Sequence, residues 1–77
     1  MTISTDLYEE LEILNLFDLD STQGGLKIHA DAGEERVDAT IRLFNKGMLS
    51  QQDGGYLTDR GLETAEHAQL LVKLLQN

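Results

Sequence analysis

The residue types that carry out catalysis or bind metal ions are scarce in this sequence. Cys is absent, and His occurs only at His29 and His67. The absence of Cys excludes thiolate metal sites, disulfides and Cys nucleophiles. The two histidines fall in separate predicted elements, without the closely spaced partner ligands that a metal site needs. The sequence therefore predicts neither a metal site nor a cofactor.

One acidic segment has a pattern close to that of a calcium-binding loop. Asp18, Asp20 and Thr22 alternate along the chain, as the first ligands of such a loop do. The required glycine, however, falls one position late, at Gly24, and His29 stands where a bidentate Glu is needed. We interpret the segment as a polar turn whose Asp and Ser side chains bond to backbone amides.

Catalysis by an activated hydroxyl group is not indicated either. Ser4, Ser21 and Ser50 stand at predicted cap, turn and strand-end positions. The sequence contains no Gly-x-Ser-x-Gly motif and no phosphate-binding glycine loop with a Lys. A chain of 77 residues also has difficulty enclosing a substrate pocket within its own core. We therefore expect that the protein is not an enzyme.

Four cations are candidates for contact with nucleic acid: Arg36, Arg42, Lys46 and Arg60. Acidic residues share their surface, the predicted hairpin tip at 51–53 has no cation, and the net charge is −8. Nucleic-acid surfaces need clustered positive charge. The pattern therefore favours a solvated face with ion pairs along one helix over a DNA-binding face.

Length and composition limit the architecture. A chain of 77 residues and 8.6 kDa predicts a single domain over 1–77 with a small core. No run approaches the roughly 18 consecutive apolar residues of a membrane span, and no basic segment with an apolar run begins the chain. These features favour a cytoplasmic protein that does not associate with membranes.

Apolar periodicity predicts three helices, at about 5–17, 32–46 and 59–75. The residues expected to cap their first turns are Thr5, Asp31 (with Glu34 three residues later) and Thr58. Gly47 is expected to end the second helix in a left-handed conformation.

Short runs of alternating or β-favouring residues predict three strands, at 26–29, 48–50 and 56–58. Asp53-Gly54 between the last two indicates a hairpin. The order helix, strand, helix, hairpin, helix predicts an α+β fold with a small three-stranded antiparallel sheet. The predicted core residues are Leu7, Leu11, Leu14, Phe17, Leu26, Ile28, Val37, Ile41, Phe44, Leu49, Leu57, Leu62, Ala65 and Val72.

The stretch 46–71 contains several features in a characteristic order. They are Gly47, Met48-Leu49, Asp53-Gly54-Gly55, Tyr56-Leu57-Thr58, Gly61 and Ala65. This order resembles the wing and last helix of winged-helix proteins, which implies a winged-helix-like fold. Only 18 residues (30–47) separate His29 from Met48, enough for one helix of four turns or for a short turn and a helix of three turns. We therefore expect a reduced helix-turn-helix.

A second resemblance covers nearly the whole chain. The segments that carry it are Phe17-Asp18-Leu19-Asp20-Ser21-Thr22-Gln23, Lys27-Ile28-His29, Asp53-Gly54-Gly55-Tyr56-Leu57-Thr58-Asp59 and Ala65-Glu66-His67. In these segments the chain is similar to a family of short, uncharacterised bacterial proteins. That resemblance implies no established activity.

The predicted last helix ends in an apolar stretch, 70–75, with one charge in six residues. Val72 and Leu75 are expected to face the core. A helix that is apolar on more than one side is usually buried on more than one side. We therefore predict a homodimer, with intramolecular cover by the first helix as the alternative. The leucines expected at the dimer interface are Leu70, Leu71 and Leu74.

Two functional hypotheses follow from these observations. The first is a non-catalytic interaction module that binds itself or another protein, in agreement with the acidic charge and the surplus leucines. The second is a small winged-helix DNA-binding regulator, as the first resemblance implies. We favour the first, because winged helices also serve as protein-binding modules and a fold does not determine a function.

Overall fold

A computed structural model describes residues 2–21 and 24–76. Its elements are α1 (Thr5–Asn15), β1 (Leu26–Lys27), a 3₁₀ turn (Ala30–Ala32), α2 (Glu34–Asn45), β2 (Leu49–Gln51), β3 (Gly54–Leu57) and α3 (Asp59–Gln76). This architecture confirms the predicted α+β fold. Over the described ranges, no helix is long and apolar enough to cross a membrane.

The three strands form one antiparallel sheet in the order β1-β3-β2. Leu26 pairs with Gly55 on one side of β3, and Leu49 pairs with Leu57 on the other. The predicted hairpin is confirmed but tighter than expected, because Gly54 and Gly55 have φ values of 124° and 74° and start β3 directly after the turn. β1 has two residues rather than the predicted four.

The connection between β1 and β2 holds a single 3₁₀ turn followed by α2. Of the two possibilities for these 18 residues, the structure has the second, a short turn and a helix of three turns. The predicted capping role of Asp31 is wrong, because Asp31 lies inside the 3₁₀ turn. Gly33, with φ 111°, precedes α2 and forms no side-chain cap.

The ends of α1 differ from the prediction by one to two residues. Ser4, not Thr5, is the N-cap, and its hydroxyl oxygen accepts a hydrogen bond from the backbone amide of Leu7 at 3.1 Å. The helix ends at Asn15 rather than at residue 17. In the turn that follows, the backbone amide of Asp20 donates to Asp18 Oδ1 at 3.0 Å, as expected of a polar turn. Thr22 lies outside the described residues.

The core lies between the three helices and β2. Its buried apolar residues are Ile13, Leu14, Phe17, Ala39, Leu43, Leu49, Ala65 and Ala68. On α2 the prediction of the core residues is wrong in part. Val37, Ile41 and Phe44 were predicted to lie in the core but are half-buried. Leu43 and the fully buried Thr40 occupy the core instead. The Thr40 hydroxyl donates to Arg36 O at 2.8 Å, which allows a polar residue to occupy this place. Leu62 is exposed and does not belong to the core.

The junction between the hairpin and α3 confirms the sequence prediction. Thr58 Oγ1 accepts a hydrogen bond from the amide of Gly61 at 3.0 Å and donates to Gly47 O at 2.5 Å. Gly47 has φ 79°, the expected left-handed conformation. A Cβ atom at Gly61 would overlap the carbonyl oxygen of Met48, so glycine is required for this close approach. The start of α3 is therefore fixed to the hairpin.

Candidate interaction surfaces

A polar side chain, that of Gln69, connects the C-terminal part of α3 to the body of the domain. Gln69 Nε2 donates to the carbonyl oxygens of Leu14 and Phe17, at 3.1 and 2.7 Å. These carbonyls lie at the end of α1, where no further helical turn supplies donors. Beyond Gln69, only Val72 is half-buried among the described residues.

Four leucines on the last two turns of α3 are exposed. Their exposed fractions are 55% for Leu70, 51% for Leu71, 63% for Leu74 and 77% for Leu75. The prediction that Leu75 faces the core is therefore wrong, whereas the outward placement of Leu70 and Leu74 is as expected. We call these four residues the α3 leucine surface.

The α3 leucine surface covers a wide arc of the helix. Successive residues are rotated by about 100° around a helix axis, so Leu70 and Leu74 lie nearly opposite the buried Ala65 and Ala68. Leu71 points between these two directions. The end of α3 is thus apolar over more than half of its circumference, which is wider than the single stripe of a helix that is buried on one side.

The cations proposed for nucleic-acid contact on α2 are bound to acids of α1. Arg42 Nε lies 3.0 Å from Glu10 Oε2, and its guanidinium also donates to Asp6 O at 3.1 Å. Lys46 Nζ donates to Glu10 Oε1. The ion pairs that were expected along one helix are not found among the described residues, because both cations pair with acids of α1 instead.

Arg36 and Arg60 complete the set of proposed cations. Arg36 Nη2 lies 3.7 Å from Glu12 Oε2 on α1. Arg60, on the first turn of α3, forms no ion pair with the residues that the structure describes. Three of the four proposed cations are therefore neutralised by α1, and the fourth lies on a different helix.

Glu10 is the charged residue that the sequence argument missed. Apolar periodicity predicts that it lies away from the apolar face of α1, but it is only 6% exposed. Its position, three residues before Ile13 and four before Leu14, lies on the buried face of that helix. The sequence feature that could have indicated this position is the pair of cations Arg42 and Lys46. They are one turn apart at the C-terminal end of α2 and can share one acceptor.

The environment of Glu10 favours its charged form. Burial raises the pKa of this carboxyl, but the hydrogen bonds from Lys46 and Arg42, together with their charges, outweigh that effect. The pKa of Glu10 is therefore held below its ordinary value of 4.5. This network joins α1 to α2 and leaves the acceptor oxygens of Glu10 occupied.

The metal-ligating side chains of the described residues are dispersed over the fold. Within residues 2–21 and 24–76, no three His, Asp or Glu side chains are grouped closely enough to hold a metal ion. A cleft of about 360 Å³ lies beside α2 and the hairpin tip, and Ile28, Val37 and Ile41 contribute apolar surface to it. The one hydroxyl group in its lining, that of Thr40, is already bonded to Arg36 O.

Comparison with known proteins places the chain within a family. A family model described as "Family of unknown function (DUF5669)" matches residues 1–76. This match agrees with the resemblance to a small uncharacterised family. No curated protein and no solved structure matches the chain.

Proposed function

The chain belongs to DUF5669, a family of unknown function, and we propose that it is a non-catalytic interaction module that associates with a second copy of itself. The observation that carries the proposal is the α3 leucine surface, formed by four neighbouring leucines that are each more than half exposed. In this proposal the surface is the contact between two copies, and the rest of the domain positions α3.

The free energy available from covering this surface is considerable. Fully burying one leucine stabilises by roughly 1.5–3 kcal/mol, and each of these side chains still has at least half of that burial to gain. Contiguous apolar surface of this kind on a small domain marks interaction sites. A partner helix that covers all four leucines therefore offsets a large part of the cost of association.

A second copy suits the surface because of where the acids of α3 lie. Asp59, Glu63 and Glu66 all precede the leucines, and Lys73 is the one charged residue between positions 67 and 76. Two α3 helices that cross antiparallel near Val72 bring leucine against leucine and keep Glu66 of each copy outside the paired stretch. Such a two-fold contact uses the same patch twice. The net charge of −8 per chain is then not concentrated at the interface.

Light scattering coupled to size-exclusion chromatography tests the proposal at tens of micromolar protein. We expect a mass twice the 8.6 kDa of one chain. The double variant Leu70→Glu, Leu74→Glu should have the mass of one chain. A matched control is Gln51→Glu, Gln52→Glu, which adds the same charge at the exposed hairpin tip and should leave the dimer intact. A wild-type mass of one chain would refute self-association.

The runner-up function, a small DNA-binding regulator, is supported by the resemblance of the hairpin and α3 to a wing and last helix. The ion pairs across α1 and α2 count against it, because they occupy Arg36, Arg42 and Lys46. A phosphate backbone must compete with buried Glu10 for two of these cations. We therefore rank DNA binding below self-association.

A further inference from the structure

A second cleft lies at the opposite end of α3 from the leucine surface. Its volume is about 260 Å³, and it is bounded by the segment after α1, by β3 and by the first turn of α3. The side chains that give it apolar walls are Phe17, Leu19, Tyr56, Leu57 and Leu62. Leu62 was predicted to be in the core, and its position at this cleft explains why it is 39% exposed.

Tyr56 is held in place as one wall of the cleft. Its backbone amide donates to Ser50 Oγ at 2.8 Å. A Cβ atom added to Gly25 would lie 3.3 Å from Cε1 and 3.4 Å from Cζ of the Tyr56 ring. The ring therefore lies against glycine backbone and remains 51% exposed. A half-exposed aromatic ring is a suitable contact for an apolar group or for a cation.

The polar part of the cleft is negatively charged. Asp18 and Asp59 line it, and the described residues of the lining include no Lys, Arg or His. Asp18 Oδ1 accepts a hydrogen bond from the backbone amide of Asp20. This bond orients the carboxylate of Asp18. Neither aspartate forms an ion pair with any residue in 2–21 or 24–76. This contrasts with Glu10, whose charge is matched within the chain.

We propose that this cleft binds a basic, apolar segment of a partner protein, with an Arg or Lys side chain between Asp18 and Asp59 and a neighbouring apolar side chain against Leu57 and Leu62. The volume favours this occupant, because about 260 Å³ is below the roughly 300–1,000 Å³ of sites for drug-sized molecules and cofactors. It is enough for one or two side chains. The net charge of −8 attracts a basic partner from a distance.

This proposal does not depend on self-association. Leu62 and Leu70 are eight positions apart on α3, which corresponds to about 12 Å along the helix axis. The cleft and the leucine surface are thus separate parts of one helix. The double variant Leu70→Glu, Leu74→Glu should bind the partner segment as the wild type does, so failure of one proposal is distinguishable from failure of the other.

Titration of the full ¹⁵N-labelled chain with short blocked peptides tests the cleft. The probe is the peptide Gly-Leu-Arg-Leu-Gly, and its counterparts carry Gln or Glu in place of Arg. We expect saturable shifts of the amides of Leu57, Asp59 and Leu62, with a dissociation constant on the order of 1 mM. The Gln peptide should bind about tenfold more weakly, because it loses both ion pairs, and the Glu peptide should produce no saturable shift.

Two charge-matched double variants distinguish the cleft from general attraction to an acidic protein. Asp18→Asn, Asp59→Asn should weaken binding of the Arg peptide about tenfold, the product of two exposed ion pairs worth roughly threefold each. The amide oxygen introduced at position 18 still accepts a hydrogen bond from the Asp20 amide. Glu63→Gln, Glu66→Gln removes the same charge from the exposed surface of α3 and should leave binding unchanged.

Three results would overturn the proposal. One is equal weakening in both double variants. Another is a response to spermidine, a cation without apolar side chains, that reproduces the shifts of the Arg peptide. The third is the absence of any saturable shift at several millimolar peptide while the chain remains folded.

Discussion

The contact between α1 and α2 is rich in charge and the end of α3 is rich in leucine, yet only the first is completed by residues of the same chain. Across α1 and α2, Glu10 is buried and bound by Arg42 and Lys46. At the end of α3, four leucines remain more than half exposed. Three of the four cations proposed for contact with nucleic acid are thus used within the domain.

The two regions differ because a small domain can pair its buried polar groups within the chain more easily than it can cover its exposed apolar surface. In the described part of the chain, no buried side-chain nitrogen or oxygen lacks a hydrogen-bond partner. A buried polar group without a partner is costly, so charge is matched where it is buried. Apolar surface has no comparable local remedy, since it requires another element to cover it. The four leucines have no such cover among the described elements.

The largest effect should come from breaking the α1–α2 contact. Replacement Glu10→Ala leaves Arg42 and Lys46 without their shared acceptor, and we expect it to lower the free energy of unfolding by about 2 kcal/mol. This is less than the roughly 3–5 kcal/mol for a fully buried pair, because both cations retain access to water. Urea denaturation measures it. The same substitution at exposed Glu63 should change stability by less than about 0.5 kcal/mol, and equal effects at the two positions would contradict the comparison.

Signals confined to a few neighbouring residues were sufficient to predict part of this molecule. The hairpin at Asp53-Gly54 depends on local turn geometry. The junction depends on Thr58, which caps α3 by accepting a hydrogen bond from the residue three positions later, Gly61. Both signals lie within a few neighbouring positions of the sequence. The exposed Leu70 and Leu74 follow from helical rotation alone. These predictions agree with the described structure.

Predictions of side-chain contacts with residues far along the chain failed. Glu10 meets Arg42 and Lys46 across 32 and 36 positions, and no local pattern on α1 shows that they are near. For Leu75, periodicity gives the direction of the side chain but not whether another element is present to cover it. On α2, a polar residue, Thr40, is buried. Because the prediction used apolar residues only, it assigned Val37 and Ile41 to the core instead.

A moderate effect on stability is expected at the N-terminal end of α3, where Thr58 joins the helix to the hairpin. Replacement Thr58→Val keeps the shape of the side chain but removes both the acceptor for Gly61 N and the donor to Gly47 O. The free energy of unfolding should fall by about 1 kcal/mol. Thr64→Val is the matched control, because the Thr64 hydroxyl bonds within α3 to Arg60 O and caps nothing. An unchanged melting temperature in Thr58→Val would show that the junction does not hold α3.

A smaller effect should appear as a dependence of stability on pH. The pKa of Glu10 is lowered in the folded chain, so the unfolded state binds this proton more tightly than the folded state. The stabilisation is therefore fully present above the ordinary value of 4.5 and is lost as pH falls below it, through the pKa of the folded state. The wild type should lose more stability than Glu10→Gln between about pH 5 and about pH 3. Parallel curves for the two proteins would show that Glu10 is not held by its partners.

The smallest effect, none at all, is expected when duplex DNA is added at physiological salt. DNA binding depends on Lys and Arg that release counterions from phosphates, and three of the four cations proposed for nucleic-acid contact are held by acids of α1. Fluorescence anisotropy with labelled duplexes should show no binding at micromolar protein, and Arg60→Ala should make no difference. The comparison between the two regions would fail if binding were sub-micromolar, weakened steeply with salt and were lost in Arg42→Ala. In that case the cations would serve an external partner, and the ion pairs with Glu10 and Glu12 would have to open for DNA to bind.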